Sequence, residues 1–397
     1  MSWLLYLIGV LVVVLTSANV LFTLVLPRRP FGIDRLNLLV NRAVLRTMSG
    51  LSHIASTYEW QDAVLSPVGP IALVLQLLLW AGELTVGFGL LIAATHHSVG
   101  DGLVQALTSL FTVGSAHQGG VPVAWCDIPC GAIWVVIVAL QIAYLPTLYS
   151  AFSRREGLVA LLESRAGVPA WGPELLIRHQ LVGIPDTLPA LYASWEAWAA
   201  DVAESHTTYP VLLLFRSPEA WYSWVVGQLA VLDAAAIHLA VSPSSAGSRA
   251  RLCLRMGFTL FDRIAVSLGW EVDPDPDPEG PISLTFEEYA HAVEKLAAAG
   301  FPMERSARES WPDFKGWRVN YESVAYRLAD RLTAPPAPWS GPRQHFRTGP
   351  VLPKRPPQRH PGERPPPSHA VVGPPARRVR AARGRPGPPG APRSRQA

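Results

Sequence analysis

The sequence predicts an all-α membrane protein, with three transmembrane helices and a short re-entrant helix, followed by a cytoplasmic helical domain and a disordered tail. Three observations predict it. Hydrophobic residues make up 49% of the 397 and charged residues only 16%, which is too apolar for a wholly soluble chain of this length. The apolar residues gather into three charge-poor runs in the first half. The second half repeats Ala, Leu and Trp at helical spacing, with no sustained strand alternation.

Residues 3–26, WLLYLIGVLVVVLTSANVLFTLVL, contain no charge, and at about 1.5 Å per residue they exceed a hydrocarbon core of about 30 Å. A secretory signal peptide is the rival reading. It is disfavoured because no basic region precedes the run and the arginines follow it. Residues 70–94, PIALVLQLLLWAGELTVGFGLLIAA, form a second span interrupted only by Glu83. Residues 131–151, GAIWVVIVALQIAYLPTLYSA, form a shorter third span, and Pro146 near its end either bends the helix or marks its approaching end.

Charge orients these spans. The loop 27–69 carries Arg28, Arg29, Arg35, Arg42 and Arg46; residues 95–130 contain no Lys or Arg; Arg154 and Arg155 follow the third span. Arginine-dense loops stay in the cytoplasm. The expected topology is therefore a multi-pass protein of the cell membrane with its N-terminus outside, 27–69 inside, 95–130 outside and everything beyond about 152 inside. Within 27–69, RLNLLVNRAVLRTMSGLSHI mixes leucines, valines and arginines at helical spacing. Such a helix either lies on the inner membrane surface against anionic lipid or packs beneath the third span.

Between the second and third spans, Gly100 and Asp101 precede GLVQALTSLFT, a run that suits a helix of about three turns with Asp101 as N-cap. A helix that enters the membrane and returns as extended backbone is tolerated only where protein buries it or water fills the space beside it. Its negative C-terminal end would point at the membrane centre, a favourable field for a dehydrating cation.

The sequence span, short helix, Thr-Val-Gly, span resembles the two-span pore unit of the bacterial potassium channel family, over residues 70 to about 156. In that family a T-V-G-Y-G strand from each of four subunits aligns backbone carbonyls that replace the ion's hydration water. The resemblance implies a homotetramer and a permeant monovalent cation, K+. It assigns Thr112, Val113 and Gly114 to the first three filter positions, and Thr108 and Ser109 to pore-helix positions that often carry hydroxyls. Three residues depart from the pattern: Ser115 replaces the aromatic that holds the filter's diameter, Ala116 replaces the second glycine, and His117 replaces an acid. The glycine position favours positive φ, which costs an alanine about 1 kcal/mol. The outer half of such a filter is altered.

Other residues carry two readings each. Glu83, a carboxylate inside a span, marks a permeation path or hydrogen-bonds to a neighbouring helix, and Gly82, Gly87 and Gly89 beside it permit close packing. Cys126 and Cys130, in CDIPC, either close a small extracellular disulfide loop or remain thiols. His96, His97 and His117 face outside, where imidazoles titrate or bind metal but more commonly do neither.

Residues 152–333 are expected to form the cytoplasmic helical domain, with helices in LPALYASWEAWAADVAESH, WYSWVVGQLAVLDAAAIHLA, RLCLRMGFTLFDRIAVSL, TFEEYAHAVEKLAAAG and NYESVAYRLADRL. The second of these is long enough to span a membrane. Asp233, His238 and the flanking Arg216 and Arg249 make a buried helix of this domain the better reading. SPSSAGS and DPDPDPEGP mark turns, and the acidic Asp-Pro run lacks EF-hand spacing. No Walker loop, dinucleotide fingerprint, HExxH, nucleophile elbow or zinc-spaced cysteine set occurs, so no catalytic, cofactor or metal site is expected, and Asp233, His206 and His238 read as core or capping groups.

Residues 334–397 hold 13 Lys+Arg and one acid, so the tail carries +12 of a net +4 and the rest of the chain −8. This proline-rich tail is expected to be disordered and to contact anionic lipid or an acidic or proline-recognising partner, not nucleic acid. Two functions follow as expectations: a potassium-type cation pore with an altered filter, or a non-conducting membrane anchor whose cytoplasmic domain binds a partner.

Overall fold

The computed structural model of the chain describes residues 2–26, 35–96, 98–111 and 121–341. Thirteen α-helices and two 3-10 turns occur among them, and no strand among the described residues. Among the described residues, four stretches are long and apolar enough to cross a membrane: Trp3–Leu24, Tyr58–Thr95, Ala124–Ala166 and Trp224–Val241. The last differs in kind. Its apolar window is 100% buried by the chain itself, against 22%, 39% and 17% for the first three, so it has no surface left for lipid.

The first helix, α1 (Ser2–Leu24), runs antiparallel to α4 (Val68–His96). Small residues set the crossing: a Cβ on Gly9 would lie 2.7 Å from the Gly87 carbonyl oxygen, and one on Gly87 would lie 2.7 Å from a Val13 methyl. Lower down, Thr16 donates to Glu83 Oε2 at 2.9 Å, and Val20 is buried in one cluster with Trp80 and Leu84. Gly89 makes a second close approach, to α5 (Val99–Leu110), where a Cβ on Gly102 would stand 2.4 Å from the Gly89 carbonyl oxygen. Gly82 faces open space and contributes nothing to packing.

Between α1 and α4 lie α2 (Arg35–Ser52) and α3 (Tyr58–Leu65), the latter capped by Thr57. Val44 of α2 is buried with Leu65, Val68, Leu73, Tyr144 and Leu148, so the apolar face of α2 joins the cluster at the start of α4. The contacts of α2 are with α3 and α4, and its buried Val44 shares a cluster with Tyr144 and Leu148 of the third apolar helix.

The third apolar helix is longer than the sequence suggests. α6 runs Val121–Ala166 as one 46-residue helix with Pro129 and Pro146 inside it. Its last turns, with Val159 and Leu162, belong to the core of the second bundle. That bundle is built around α9 (Trp224–Val241), every residue of which is buried. Around α9 pack α7 (Gly172–Val182), α8 (Leu188–Thr208), α10 (Pro243–Ser267, with Gly247 left-handed at φ 67°), α12 (Ala307–Arg318) and α13 (Glu322–Arg331); α11 (Phe286–Ala298) packs on α7 and α12. Two capping boxes, Thr285 with Glu288 and Ser306 with Glu309, start α11 and α12.

A carboxylate in the middle of such a core must be paired. Asp233 Oδ1 accepts from Arg318 Nη1 at 2.5 Å and from the Tyr321 hydroxyl at 2.8 Å, while Arg318 also donates to Glu322, to Tyr326 and to the Trp339 carbonyl. Burial alone would lower the pKa of the Arg318 guanidinium; Asp233, Tyr326, Tyr321 and Glu322 outweigh it and hold it well above its ordinary value. His238 is hydrogen-bonded to the Tyr192 hydroxyl and to Ser245.

The core extends past the expected boundary at 333. Ala334, Ala337, Trp339 and Ser340 are buried, with Trp339 edge-on to Trp171 at 5.7 Å. Thr333 and Trp339 adopt left-handed backbone (φ 48° and 62°), which non-glycine residues rarely do. Their carbonyls are held, Thr333 by Arg216 and Tyr58, Trp339 by Arg318 and Tyr326. The basic stretch 342–397 lies outside the described residues.

Candidate functional site

The stretch singled out from sequence lies between α5 and α6. Thr112, Val113, Gly114, Ser115, Ala116 and His117 fall outside the described residues, as does His97. What the structure gives is the frame on either side of them.

The N-cap of α5 is Ser98, whose hydroxyl accepts from the Asp101 backbone N–H at 3.3 Å. This corrects the assignment of Asp101 as the cap. Asp101 instead sits exposed in the first turn, where its charge favours the positive end of the helix. At the other end, Thr108 Oγ1 donates to the Gln105 carbonyl at 2.8 Å. Ser109 Oγ lies 2.9 Å from that same carbonyl and 2.7 Å from Asp127 Oδ1, so its one proton is shared between them.

Asp127 is the residue the sequence reading missed. It stands on the first turns of α6, is 7% exposed, and accepts from Ser109 and, at 2.8 Å, from Gln105 Nε2. The carboxylate thereby pins two residues one turn apart on α5 to α6. Gly131, one turn further on, lets α6 approach the Ser109 carbonyl, where a Cβ would stand at 3.3 Å. Phe111 meets Trp134 edge-on at 5.9 Å. α5 is thus fixed on α4 by glycines and on α6 by a buried charge-assisted pair of hydrogen bonds, while Val104, Leu107 and Phe111 stay exposed along another face.

Cys126 and Cys130 are both free, and they lie one turn apart on α6, not in an extracellular turn. Their Cβ vectors project alike from a helix and do not face each other. The Cys130 thiol donates weakly to the Ala106 carbonyl at 3.7 Å, one more tie between α6 and α5. Glu83 accepts a hydrogen bond from Thr16 of α1, the helix-to-helix contact that one of its two readings expects.

Two arginines, one buried and one half-buried, join this frame to the second bundle. Arg155, fully buried, donates to Glu156 at 2.7 Å, to His206 Nε2 and the Leu212 carbonyl at 3.0 Å, and to the Phe215 carbonyl at 2.7 Å. His206 must accept with Nε2, so its proton rests on Nδ1, beside Ser205 Oγ at 3.1 Å. Burial, then the Arg155 charge, pushes the His206 pKa well below 6.5 and keeps the ring neutral. Arg216 donates to Asp62 at 2.5 Å, to the Leu332 carbonyl at 2.6 Å, and to the Tyr58 hydroxyl and Thr333 carbonyl. It therefore bolts α3, just ahead of α4, to the end of α13. By contrast Arg154, its twin in the sequence, is exposed and bonded to Asp201. No group of His, Cys, Asp and Glu able to hold a metal occurs among the described residues.

The comparisons add no relative: no family model, no curated protein and no solved structure matches this chain.

Proposed function

We propose that this chain is the subunit of a potassium-type cation channel with an altered filter, working as a homotetramer in the cell membrane. α1, α4 and α6 span, the N-terminus is outside, and the bundle from α7 onward is cytoplasmic. The observation that carries the reading is α5: a capped helix of 12 residues, locked between two span-length helices, with its C-terminal end at residue 110 leading directly into Thr-Val-Gly. The exposed Val104, Leu107 and Phe111 supply an apolar face of the kind a neighbouring subunit covers. Arg155 ties the cytoplasmic bundle to α6, which flanks α5, and Arg216 ties it to α3, which leads into α4. A second reading, a non-conducting anchor for a cytoplasmic partner, draws on Glu83 and Asp127: both carboxylates within the membrane helices accept hydrogen bonds from neighbouring hydroxyl or amide groups.

The test is the reversal potential of the purified protein in a planar bilayer under opposed potassium and sodium gradients, beside Gly114→Asp. A current that Gly114→Asp abolishes supports the channel, and its reversal potential reports the selectivity left by Ser115 and Ala116. Silence across pH and voltage, with tetramers verified by cross-linking, refutes it and favours the anchor.

A further inference from the structure

Several arginines of this chain are matched by carboxylates: Arg154 with Asp201, Arg178 with Glu174, Arg216 with Asp62, Arg305 with Asp313 and Arg318 with Asp233. Four others are not. Arg42 and Arg46 stand one turn apart on α2, and Arg327 and Arg331 one turn apart on α13. None of the four has a hydrogen bond or ion pair among the described residues, although Asp330 precedes Arg331 in the sequence.

Packing sets the two pairs side by side. Leu45 of α2 and Leu332 at the end of α13 line one cavity. Arg216 clamps the Leu332 and Thr333 carbonyls to α3, against which α2 packs. Trp270 adds a floor: the guanidinium carbon of Arg327 lies 4.1 Å from its ring centroid and that of Arg331 5.9 Å. A guanidinium laid on an aromatic face keeps its N–H edge free for an anion. Arg46 and Arg327 are exposed and Arg42 and Arg331 half-buried, so an anion can reach the cluster from outside. Burial, then the charges of Arg42, Arg46 and Arg327, pushes the Arg331 guanidinium below its ordinary pKa, which an arriving anion would relieve.

We propose that Arg42, Arg46, Arg327 and Arg331 form a binding site for a phosphate group carrying more than one negative charge or presented together with a second phosphate. Four guanidinium forks without a carboxylate among them exceed what one carboxylate ligand neutralises, and they match the several acceptor oxygens of a phosphate. Under the topology proposed above, the cluster lies at the inner ends of α4 and α6, within reach of lipid headgroups as well as soluble phosphates; that placement rests on the proposed topology, whereas the arginine geometry does not.

The experiment uses the full chain and two probes. In uncharged detergent, the thermal midpoint is followed against inorganic pyrophosphate at constant ionic strength. In nanodiscs, it is followed as phosphatidylglycerol replaces phosphatidylcholine. Each series is repeated with Arg42→Gln/Arg46→Gln/Arg327→Gln, and with Arg251→Gln/Arg255→Gln/Arg263→Gln on α10 as a control of equal charge change. Expected is stabilisation by at least one probe, weakened on the order of a hundredfold in apparent affinity by the first triple and unaffected by the second. A response to pyrophosphate alone identifies a soluble phosphate compound as the ligand; a response to phosphatidylglycerol alone identifies a headgroup. No stabilisation by either probe, or equal loss in both triples, overturns the proposal. Arg46 and Arg327 are exposed, so Arg46→Gln/Arg327→Gln preserves the test should the triple fail to fold. The detergent arm requires neither conduction nor a membrane, so its failure and the failure of the channel reading are separate results.

Discussion

Replacing Asp127 tests whether a buried carboxylate holds α5 in place. Asp127→Ala removes the acceptor of the Ser109 bond at 2.7 Å and the Gln105 bond at 2.8 Å, and leaves the Gln105 amide without its partner between two helices. A hydrogen bond to a charged group contributes about 1.5 to 3 kcal/mol, so losing two costs about 3 kcal/mol at the low end. That cost falls on α5 alone, because the other contacts of α5 with α4 are glycine packing that the substitution does not touch. Backbone amide exchange is the assay, since local opening free energies read directly as rates. In detergent micelles the amides of 105–111 should exchange about a hundredfold faster in Asp127→Ala than in the parent, with α9 unchanged. Asp127→Asn keeps one acceptor oxygen and should give about a tenfold effect. Unaltered exchange across α5 in Asp127→Ala would show that the carboxylate is incidental and that the remaining contacts with α4 and α6 hold the helix.

Gly102→Ala should destabilise the α4/α5 contact by about 1 to 3 kcal/mol, since its Cβ meets backbone that cannot yield, whereas Gly82→Ala, facing open space, should be neutral or slightly stabilising; paired thermal melts compare them. Arg216→Met, which strands Asp62 and two carbonyls, should cost about 3 to 5 kcal/mol and open the 332–341 segment to protease, read by the cleavage rate there. Stability should also fall in acid. His206 and His179 are both pushed below 6.5, chiefly by burial, so the unfolded chain binds protons first; their contribution is complete above pH 6.5 and declines below it by about 1.4 kcal/mol per pH unit for each. Melting midpoints measured from neutral pH downward should flatten in a His206→Gln/His179→Gln variant.

The three apolar runs were legible because lipid-facing helices leave a one-dimensional signature, the absence of charge. The short helix α5 was legible for a similar reason, but its cap was not: Ser98 and Asp101 both suit a helix start, and only the backbone dihedrals decide between them. The start of α6 was misread because Pro129 resembles a turn residue, although a helix tolerates it where neighbours satisfy the backbone. Arg155 read as a flanking charge like Arg154; its true partners, the carbonyls of Leu212 and Phe215, lie far along the chain and leave no local trace. The same holds for Arg216 and Asp62. The helices α7 and α12 went unnoticed, as did the burial of Trp339 beyond the expected end of the domain.

The unbroken run of α6 has a consequence for which sequence changes the chain can accept. Asp127 near its start and Arg155 toward its end are each fixed to separate surroundings, and they are joined by continuous helix. Each residue of an α-helix turns it by about 100° and lengthens it by about 1.5 Å. A single insertion or deletion between them would therefore leave one of the two contacts facing the wrong way, whatever its composition. Seven added residues nearly restore the phase but add about 10 Å of length. The stretch 128–154 should thus tolerate exchange of one apolar side chain for another far more readily than any change in its number of residues.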